Sequence, residues 1–517
     1  MGHIKLTSNK LAMGIVAVVT AAIFVLNGCD NQPHVNTPAE DITAGKQLSQ
    51  KYCGNCHRYP DPQLLDKSTW ERGIMPQMAK QLGIQSEMGG YYADEHSALS
   101  MADWQRIMAY YQKAAPAKLI MPARDAVTDW ANFKLKLSPV INRKGATAMT
   151  TMVKLNPYDG FIYTGDAGNN LLKWDAGLNA KLVKKMPSPV SDVIFNRLPN
   201  GGNTGVFSCL GVLPPNDYLK GSLESIDLRT SKPVMKTFMD SLPRPVFTAS
   251  ADFNKDGLQD YIVCGYGNTR GALFLLQQKG NNTYEKKVIR AVPGAIQAEI
   301  GDYNNDGWPD VMCLFAQADE GVWMFLNNKK GGFVTQNLLR FPPVYGTNSF
   351  QLVDMNKDGL KDIVYTCGDN NDYSSILKPY HGVYVFSNLG NWKFKQSYFH
   401  HINGASKVMS ADFDGDCDRD MAVIAFFPDF VNHPQEGFTY LEQTATWKFK
   451  AHEIPINRYG RWIAMEVADI DHDGDQDIVL GNFSIYADRL INQKNFKPNW
   501  DIYRPLVVLE NKGKKVN

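Results

Sequence analysis

Short apolar runs separated by turns rich in Gly, Asn, Asp and Pro fill the chain from about residue 130 to its end, a pattern that predicts β-strands. Tyr261-Ile262-Val263, Val311-Met312-Cys313, Ile363-Val364-Tyr365, Met421-Ala422-Val423-Ile424 and Ile478-Val479-Leu480 each follow an acid-rich loop. After Asp310 come two more strand-like runs, 321–326 and 332–336, so that with the strand entering the loop each repeat holds four strands. Residues 41 to 116 carry a different period. Ala44, Leu48 and Tyr52 recur at i, i+4, i+8, and Trp104, Ile107, Met108 and Tyr111 at i, i+3, i+4, i+7. Two helices are predicted, the second capped by Ser100 and stopped by Pro116.

The acid-rich loops share the pattern D-x-[DN]-x-D-G-x-x-D. Their oxygen side chains are Asp252, Asn254, Asp256 and Asp260; Asp302, Asn304, Asp306 and Asp310; Asp354, Asn356, Asp358 and Asp362; Asp412, Asp414, Asp416 and Asp420; and Asp469, Asp471, Asp473 and Asp477. Oxygens at positions one, three, five and nine converge on one hard cation when position six turns sharply, and Gly257, Gly307, Gly359 and Gly474 permit that turn. Cys417 stands at the sixth position of the fourth loop, where a differently made turn is expected. An EF-hand needs a Glu at position twelve and flanking helices, whereas these loops join strands. The alternative, that Asp, Asn and Gly are here only turn formers, is hard to square with five recurrences in register.

On these motifs the chain resembles the FG-GAP (VCBS) repeat family, the calcium-loop propellers to which the integrin α-subunit head belongs. First-position spacings of 50, 52, 58 and 57 residues suit one blade per repeat. The resemblance implies an all-β propeller and Ca2+, and by itself no function. The runs at 152–155, 159–163 and 171–174 read as a further blade whose loop, Asn156-Pro157-Tyr158, lacks the ligands, and 190–227 reads as another, turning at 199–202; seven blades result. The last repeat lacks a fourth strand, and Phe133-Lys134-Leu135-Lys136-Leu137, alternating at period two, is expected to supply it.

The first predicted helix leads into Cys53-Gly54-Asn55-Cys56-His57. Two thiols at this spacing can add to the vinyl groups of one porphyrin while the adjacent imidazole faces the iron, the attachment signature of haem c. A redox disulfide and half a zinc site are the rival readings, but no second cysteine pair lies in this segment. Candidates for the other axial ligand are Met75, Met78, Met88, Met101 and Met108, with His96 as an alternative. Trp70, Ile74, Met75, Pro76 and Met78 resemble the W-x3-[VIL]-[LM]-P-x-M pattern of small c-type cytochrome domains of environmental bacteria. That resemblance implies Met78, on a loop between two helices.

Residues 1–28 read as an export signal: Lys5 and Lys10, then an apolar run from Leu11 to Leu26. Leu26-Asn27-Gly28-Cys29 resembles a bacterial lipobox, implying lipidation of Cys29; an uncleaved anchor or ordinary signal peptide is the alternative. The polar stretch 29–40 with two prolines reads as a tether, 41–120 as a small all-α cytochrome c domain, and 130–517 as the seven-bladed propeller. The net charge is +1, near −1 without the leader, which gives no reason to expect nucleic acid. Cys209, Cys264, Cys313, Cys367 and Cys417 remain, an odd number; for those in apolar runs, burial as small hydrophobes is expected.

The expectation is an exported, lipid-anchored monohaem cytochrome with a calcium-binding propeller, acting in electron transfer in the periplasm or at the cell surface with a redox partner protein. The alternatives are a haem-linked oxidoreductase whose propeller holds a small-molecule substrate, and a glycan- or protein-binding surface lipoprotein. There is no dinucleotide fingerprint, nucleophile elbow or H-E-x-x-H. Blade topology makes the face away from the Asp loops the candidate functional face, on the loops 368–382 (Asp369, Asp372, His381), 427–437 (Asp429, His433, Glu436) and 482–505 (Tyr486, Arg489); solvated loops of no particular use are the alternative. Arg244, His400, His401, Arg458 and Arg461 are expected around the central channel.

Overall fold

Each Asp loop ends at a residue that opens a wholly buried strand: Asp260–Gly265, Asp310–Phe315, Asp362–Cys367, Asp420–Ala425 and Asp477–Asn482. These strands read as continuous apolar runs because both of their faces pack against neighbouring sheets. The fourth strands, such as Tyr284–Arg290 and Ala180–Lys185, are largely solvated and carry the lysines. In this computed structural model the described residues are 42–513, apart from 88–89, 141–146, 198–201, 231, 282, 371–373 and 485–496. Cys29, the leader and the tether therefore lie outside the described residues, as do Met88, the turn at 199–201, Asp372, Tyr486 and Arg489.

Seven four-stranded antiparallel sheets follow one another as blades. Blades 1 to 6 span 150–185, 190–242, 245–290, 295–340, 347–401 and 405–453. Blade 7 is built from Trp462–Ala468, Asp477–Asn482, Leu506–Asn511 and, in fourth place, Phe133–Leu137. The expected closure is present, with Phe133 opposite Asn511, Leu135 opposite Leu509 and Leu137 opposite Val507. Every blade has a register shift at the start of its inner strand, as between Pro245 and Phe247 or Trp462 and Ala464. Such a bulge tightens the local twist where the chain enters from the preceding blade.

Large apolar side chains fill the wedges between blades. Phe413, Ile424, Phe438 and Tyr440 of blade 6 meet Phe133, Trp462, Met465, Ile478 and Leu509 of blade 7 in one buried cluster. Cys209, Cys264, Cys313 and Cys367 are buried and unpaired, while Cys417 is exposed. Polar groups line the inner strands: Lys154 pairs with Glu466 at 3.4 Å, Lys407 Nζ donates to the Met465 carbonyl at 2.8 Å, and Asp192 accepts from the Thr248 amide at 3.1 Å.

Four expectations need correction. Blade 2 runs on past Asp227 to a fourth strand, Met235–Leu242, whose alternation is blurred because most of its side chains are solvated. Met78 lies on a helix, Met75–Gln81, not on a loop, and that helix continues a helical stretch begun at Lys67. His400 and His401 end the outer strand of blade 5, Phe394–His401, and so lie away from the central channel. The turn at Cys417 is made like the others. Positions four and six have positive φ in all five loops, as at Lys255 and Gly257 (58° and 82°), and Gly415 and Cys417 hold them at 77° and 71°. A cysteine there costs roughly 1–2 kcal/mol relative to glycine.

The N-terminal segment has the two expected helices, Ile42–Cys53 and Met101–Ala114, with Ser100 Oγ accepting from the Asp103 amide at 3.1 Å. A short hairpin, Ile84–Glu87 with Gly90–Ala93, lies between them. Trp70, Ile74, Met75, Trp104, Ile107 and Tyr111 form its core. Among the described residues no helix is long and apolar enough to cross a membrane.

Candidate functional site

The ninth-position acid of each loop is an anchor as well as a candidate ligand. Asp260 Oδ2 accepts from the Phe253 amide (3.0 Å) and Oδ1 from the Gln278 amide at the end of the third strand (2.8 Å). The same pair of bonds recurs at Asp310, Asp362, Asp420 and Asp477. First-position acids close the turn, Asp302 Oδ2 accepting from the Gly307 amide at 2.7 Å.

The five loops differ in how their acids meet. Carboxylate oxygens of Asp412, Asp414 and Asp420 lie within 4.8 Å of one another, as do those of Asp469, Asp471 and Asp477. In the three loops with Asn at position three, its Nδ2 donates to the fifth-position acid, as from Asn304 to Asp306 at 3.0 Å. Burial, then neighbouring loop acids among weaker influences, raises the carboxyls of Asp420 to about 7 and Asp477 to about 6. Asp418 and Asp475, at position seven, stand beside these clusters, their carboxyls raised by burial and by neighbouring loop acids, and among the described residues each has a buried Oδ1 without a hydrogen-bond partner. Treating position seven as free hid them in the sequence pattern. Oxygen donors of like charge, crowded and partly desolvated, fit a hard cation such as Ca2+.

The second group of candidates lies on the opposite face. Cys53 is half-buried, and burial pushes its thiol up to about 11; Cys56 is exposed. The buried His57 ring has Nδ1 3.0 Å from the Arg58 carbonyl oxygen. A carbonyl only accepts, so Nδ1 carries the proton and Nε2 keeps a lone pair for a metal. Burial chiefly lowers the His57 pKa, with the Arg58 bond opposing it and Arg340 and Asp319 of blade 4 acting at longer range. Met75 is 3% exposed within the segment core, whereas Met78 is half-buried on its flank. Met101 and Met108 are also half-buried, and His96 is exposed beside Glu95. Two unpaired thiols, a histidine poised to coordinate and a thioether outside the packed core fit a haem c.

This segment is seated on blades 4 and 5. Arg58 Nη1 donates to the Arg340 carbonyl at 2.7 Å, Tyr380 Oη donates to the Leu64 carbonyl at 3.0 Å, and Val344 and Ile376 pack on the segment core. Asp319 is held by Arg340 Nε at 2.5 Å and Arg290 Nη2 at 2.8 Å. The linker that follows crosses blades 5 and 6. Arg124 pairs with Glu436 and Glu453, His452 Nδ1 lies 2.7 Å from Asp129, and Asp125 is 3.7 Å from His400. Between linker and blades lies a cavity of about 150 Å³ lined by Arg124, Phe399, His400, His401 and Glu453.

Nearby, His381 is fully buried with neither ring nitrogen hydrogen-bonded among the described residues, and burial holds its pKa well below the ordinary range. Burial likewise lowers His401 to about 4. Arg244 donates to the Leu213 carbonyl at 3.1 Å, and Arg458 is exposed. The structure thus gathers His381, His400 and His401 at blade 5, while Arg461 stands apart between blades 6 and 7.

Residues 252–313 and 302–365 match the FG-GAP-like repeat family. The chain carries these repeats within a seven-bladed β-propeller. No curated protein matches the chain. Among solved structures it is similar to an ancestral GH74 enzyme, with 11% identity, TM-score 0.43, and coverage of 73% of this chain and 51% of that one. It is also similar to the Cps50 (Swd1) β-propeller domain of Myceliophteria thermophila, with 11% identity, TM-score 0.41 and coverage of 66% and 95%. A third is BBS1N in complex with ARL6DN, with 8% identity, TM-score 0.44 and coverage of 75% and 98%.

Proposed function

We propose that this chain is an exported, lipid-anchored one-electron carrier of the periplasm or cell surface, in which a monohaem cytochrome c segment is carried by a calcium-binding propeller. Cys53 and Cys56 would hold the haem covalently, with His57 and Met78 as axial ligands, and Cys29 would bear the lipid. A bound haem c supplies reversible one-electron chemistry. The observation that carries the reading is the seating of the Cys53–His57 motif against blades 4 and 5, on the face away from the Asp loops. Arg58 and Tyr380 fix the segment there, and Asp319 and Arg340 set the charge beside His57. The Asp loops, with Ca2+ bound, would keep the opposite face rigid. A redox partner protein would dock on the open part of the apical face, over blades 5 to 7.

A second reading, an oxidoreductase that passes electrons from a small substrate to the haem, draws on the same face, where His381 and Arg461 are buried with nitrogens unpaired among the described residues. Redox-difference spectra of the purified protein separate the two. Reduction only when a donor protein is added supports the carrier. Reduction by a sugar or alcohol alone supports the enzyme, and a protein without a haem spectrum overturns both.

A further inference from the structure

We propose that Cys264 and Cys313 are oxidised to a disulfide that staples blade 3 to blade 4, a modification made as the exported chain folds. The proposal rests on the export part of the reading above, because structural disulfides form and persist outside the cytoplasm, and it is independent of the haem.

Strand alternation brings the two thiols into one wedge. Cys264 lies on Asp260–Gly265 and Cys313 on Asp310–Phe315, the second strands of blades 3 and 4. On the first, Tyr261 and Val263 pack toward blade 2, while Ile262 and Cys264 pack toward blade 4. On the second, Met312 and Leu314 pack toward blade 5, while Val311, Cys313 and Phe315 pack back toward blade 3. Successive side chains of a strand take opposite faces, so each cysteine is turned toward the other. Both are 0% exposed, and the Cys264 thiol is in hydrogen-bonding contact with Cys313.

The other propeller cysteines lie apart from this pair. Cys209 packs in the wedge of blades 1 and 2 and Cys367 in that of blades 4 and 5, each without a second cysteine in its cluster, and Cys417 is exposed on its loop. Arg290 also reaches the wedge of blades 3 and 4. Its guanidinium carbon is 4.2 Å from the Phe315 centroid, and it interacts electrostatically with Cys313. A neighbouring guanidinium favours the thiolate, which is the nucleophile of disulfide exchange.

The step is a pair of exchanges with a disulfide oxidant of the exporting compartment, small or protein-borne. One cysteine thiolate attacks a sulfur of the oxidant, displacing one thiol and leaving a mixed disulfide. The second thiolate attacks the sulfur of the first cysteine and displaces the other thiol. The two cysteines thus lose two protons and two electrons, and the oxidant takes them up as two thiols. Because the finished wedge is closed to solvent, the step belongs to folding, and the bond is afterwards shielded from reductants. The staple closes a loop of about 50 residues and so restricts the unfolded chain. It also fixes blade 4, whose Arg340 carbonyl helps to seat the Cys53–His57 motif, to its neighbour.

Peptide mapping of the full exported chain, alkylated in denaturant before and after reduction, tests this. The peptides of Cys264 and Cys313 should be recovered joined before reduction and singly after it, while Cys209, Cys367 and Cys417 are alkylated without reduction. The oxidised chain should melt about 5 °C above the same chain reduced in denaturant and refolded in dithiothreitol. Replacing both Cys264→Ala and Cys313→Ala should abolish that difference, whereas Cys209→Ala should keep it. Should the cell retain the chain, the export reading fails, and refolding the purified full chain in glutathione disulfide decides the pairing by the same map. Cys264 and Cys313 alkylated before reduction in the exported chain, or joined to other cysteines, overturn the proposal.

Discussion

Arg58 donates a hydrogen bond to the backbone carbonyl of Arg340, 282 positions away, at 2.7 Å. Arg58 directly follows His57, so this bond ties the C-x-x-C-H turn to the end of blade 4. It places the candidate haem segment on the face where inter-blade links emerge and leaves the Asp loops free on the other. Arg58→Ala should loosen the seating without unfolding either part. Limited proteolysis between 117 and 130 should speed up while the melting temperature changes little, because a single exposed hydrogen bond is worth about 1 kcal/mol.

The axial ligand is predicted from packing as well as resemblance. Met78 lies outside the packed core and Met75 within it. Met78→Ala should abolish the methionine-to-iron charge-transfer band in the far red. Met75→Ala should keep that band and lose about 2–5 kcal/mol of stability in the segment through the cavity it leaves. The opposite outcome would exchange their roles.

Crowded loop acids repel one another unless a cation is present. Chelation should therefore lower the melting temperature of the propeller, each site adding about 2.7 kcal/mol when calcium is 100-fold above its Kd. Asp475→Asn should weaken the last site, since its carboxyl lies beside Asp473 and Asp477, and burial and these neighbours raise it to about 7. Metal analysis finding no calcium at all would remove the loop reading.

Closure of the ring rests on Phe133–Leu137. Phe133 is 1% exposed and meets Tyr440 and Phe413 edge-on at 5.3 and 5.8 Å. Deleting 131–138 leaves blade 7 with an open edge and should cause aggregation, whereas Phe133→Ala should remain soluble but lose about 3–5 kcal/mol. Equal solubility of the deletion and the intact chain would argue against closure by this strand.

His401 predicts a signed pH effect. Burial lowers its pKa from an ordinary 6.5 to about 4, so the unfolded chain takes up the proton first as pH falls. The stability it contributes is complete above 6.5 and is lost as pH drops toward 4, about 3 kcal/mol in all. His381, held neutral by burial, acts with the same sign. The difference in melting temperature between the natural chain and His401→Gln should therefore shrink as pH falls through this window; a constant difference would contradict the assignment.

Side-chain chemistry made blades 3 to 7 readable, because five Asp loops mark the same junction between first and second strands. Phe133–Leu137 was readable because it alternates and the last repeat lacked a strand. Met235–Leu242 was not, since a solvated outer strand need not alternate clearly. His400 and His401 were misplaced because nothing in their spacing tells a link from the end of an outer strand. The double role of Asp260 and its equivalents was hidden too, as its amide partners, such as Gln278, come from a strand defined only by the fold. The seating of the helical segment depends on backbone carbonyls of Arg340 and Leu64, to which sequence is blind.

The central claim is that Cys53 and Cys56 hold a haem covalently. Intact-mass measurement of the mature protein, purified from cells that export it and attach haem c, tests this most directly. The account predicts the mass of the processed chain plus one haem, falling to the bare chain when both cysteines are replaced by alanine. A haem-free mass for the unaltered protein made under those conditions would contradict it.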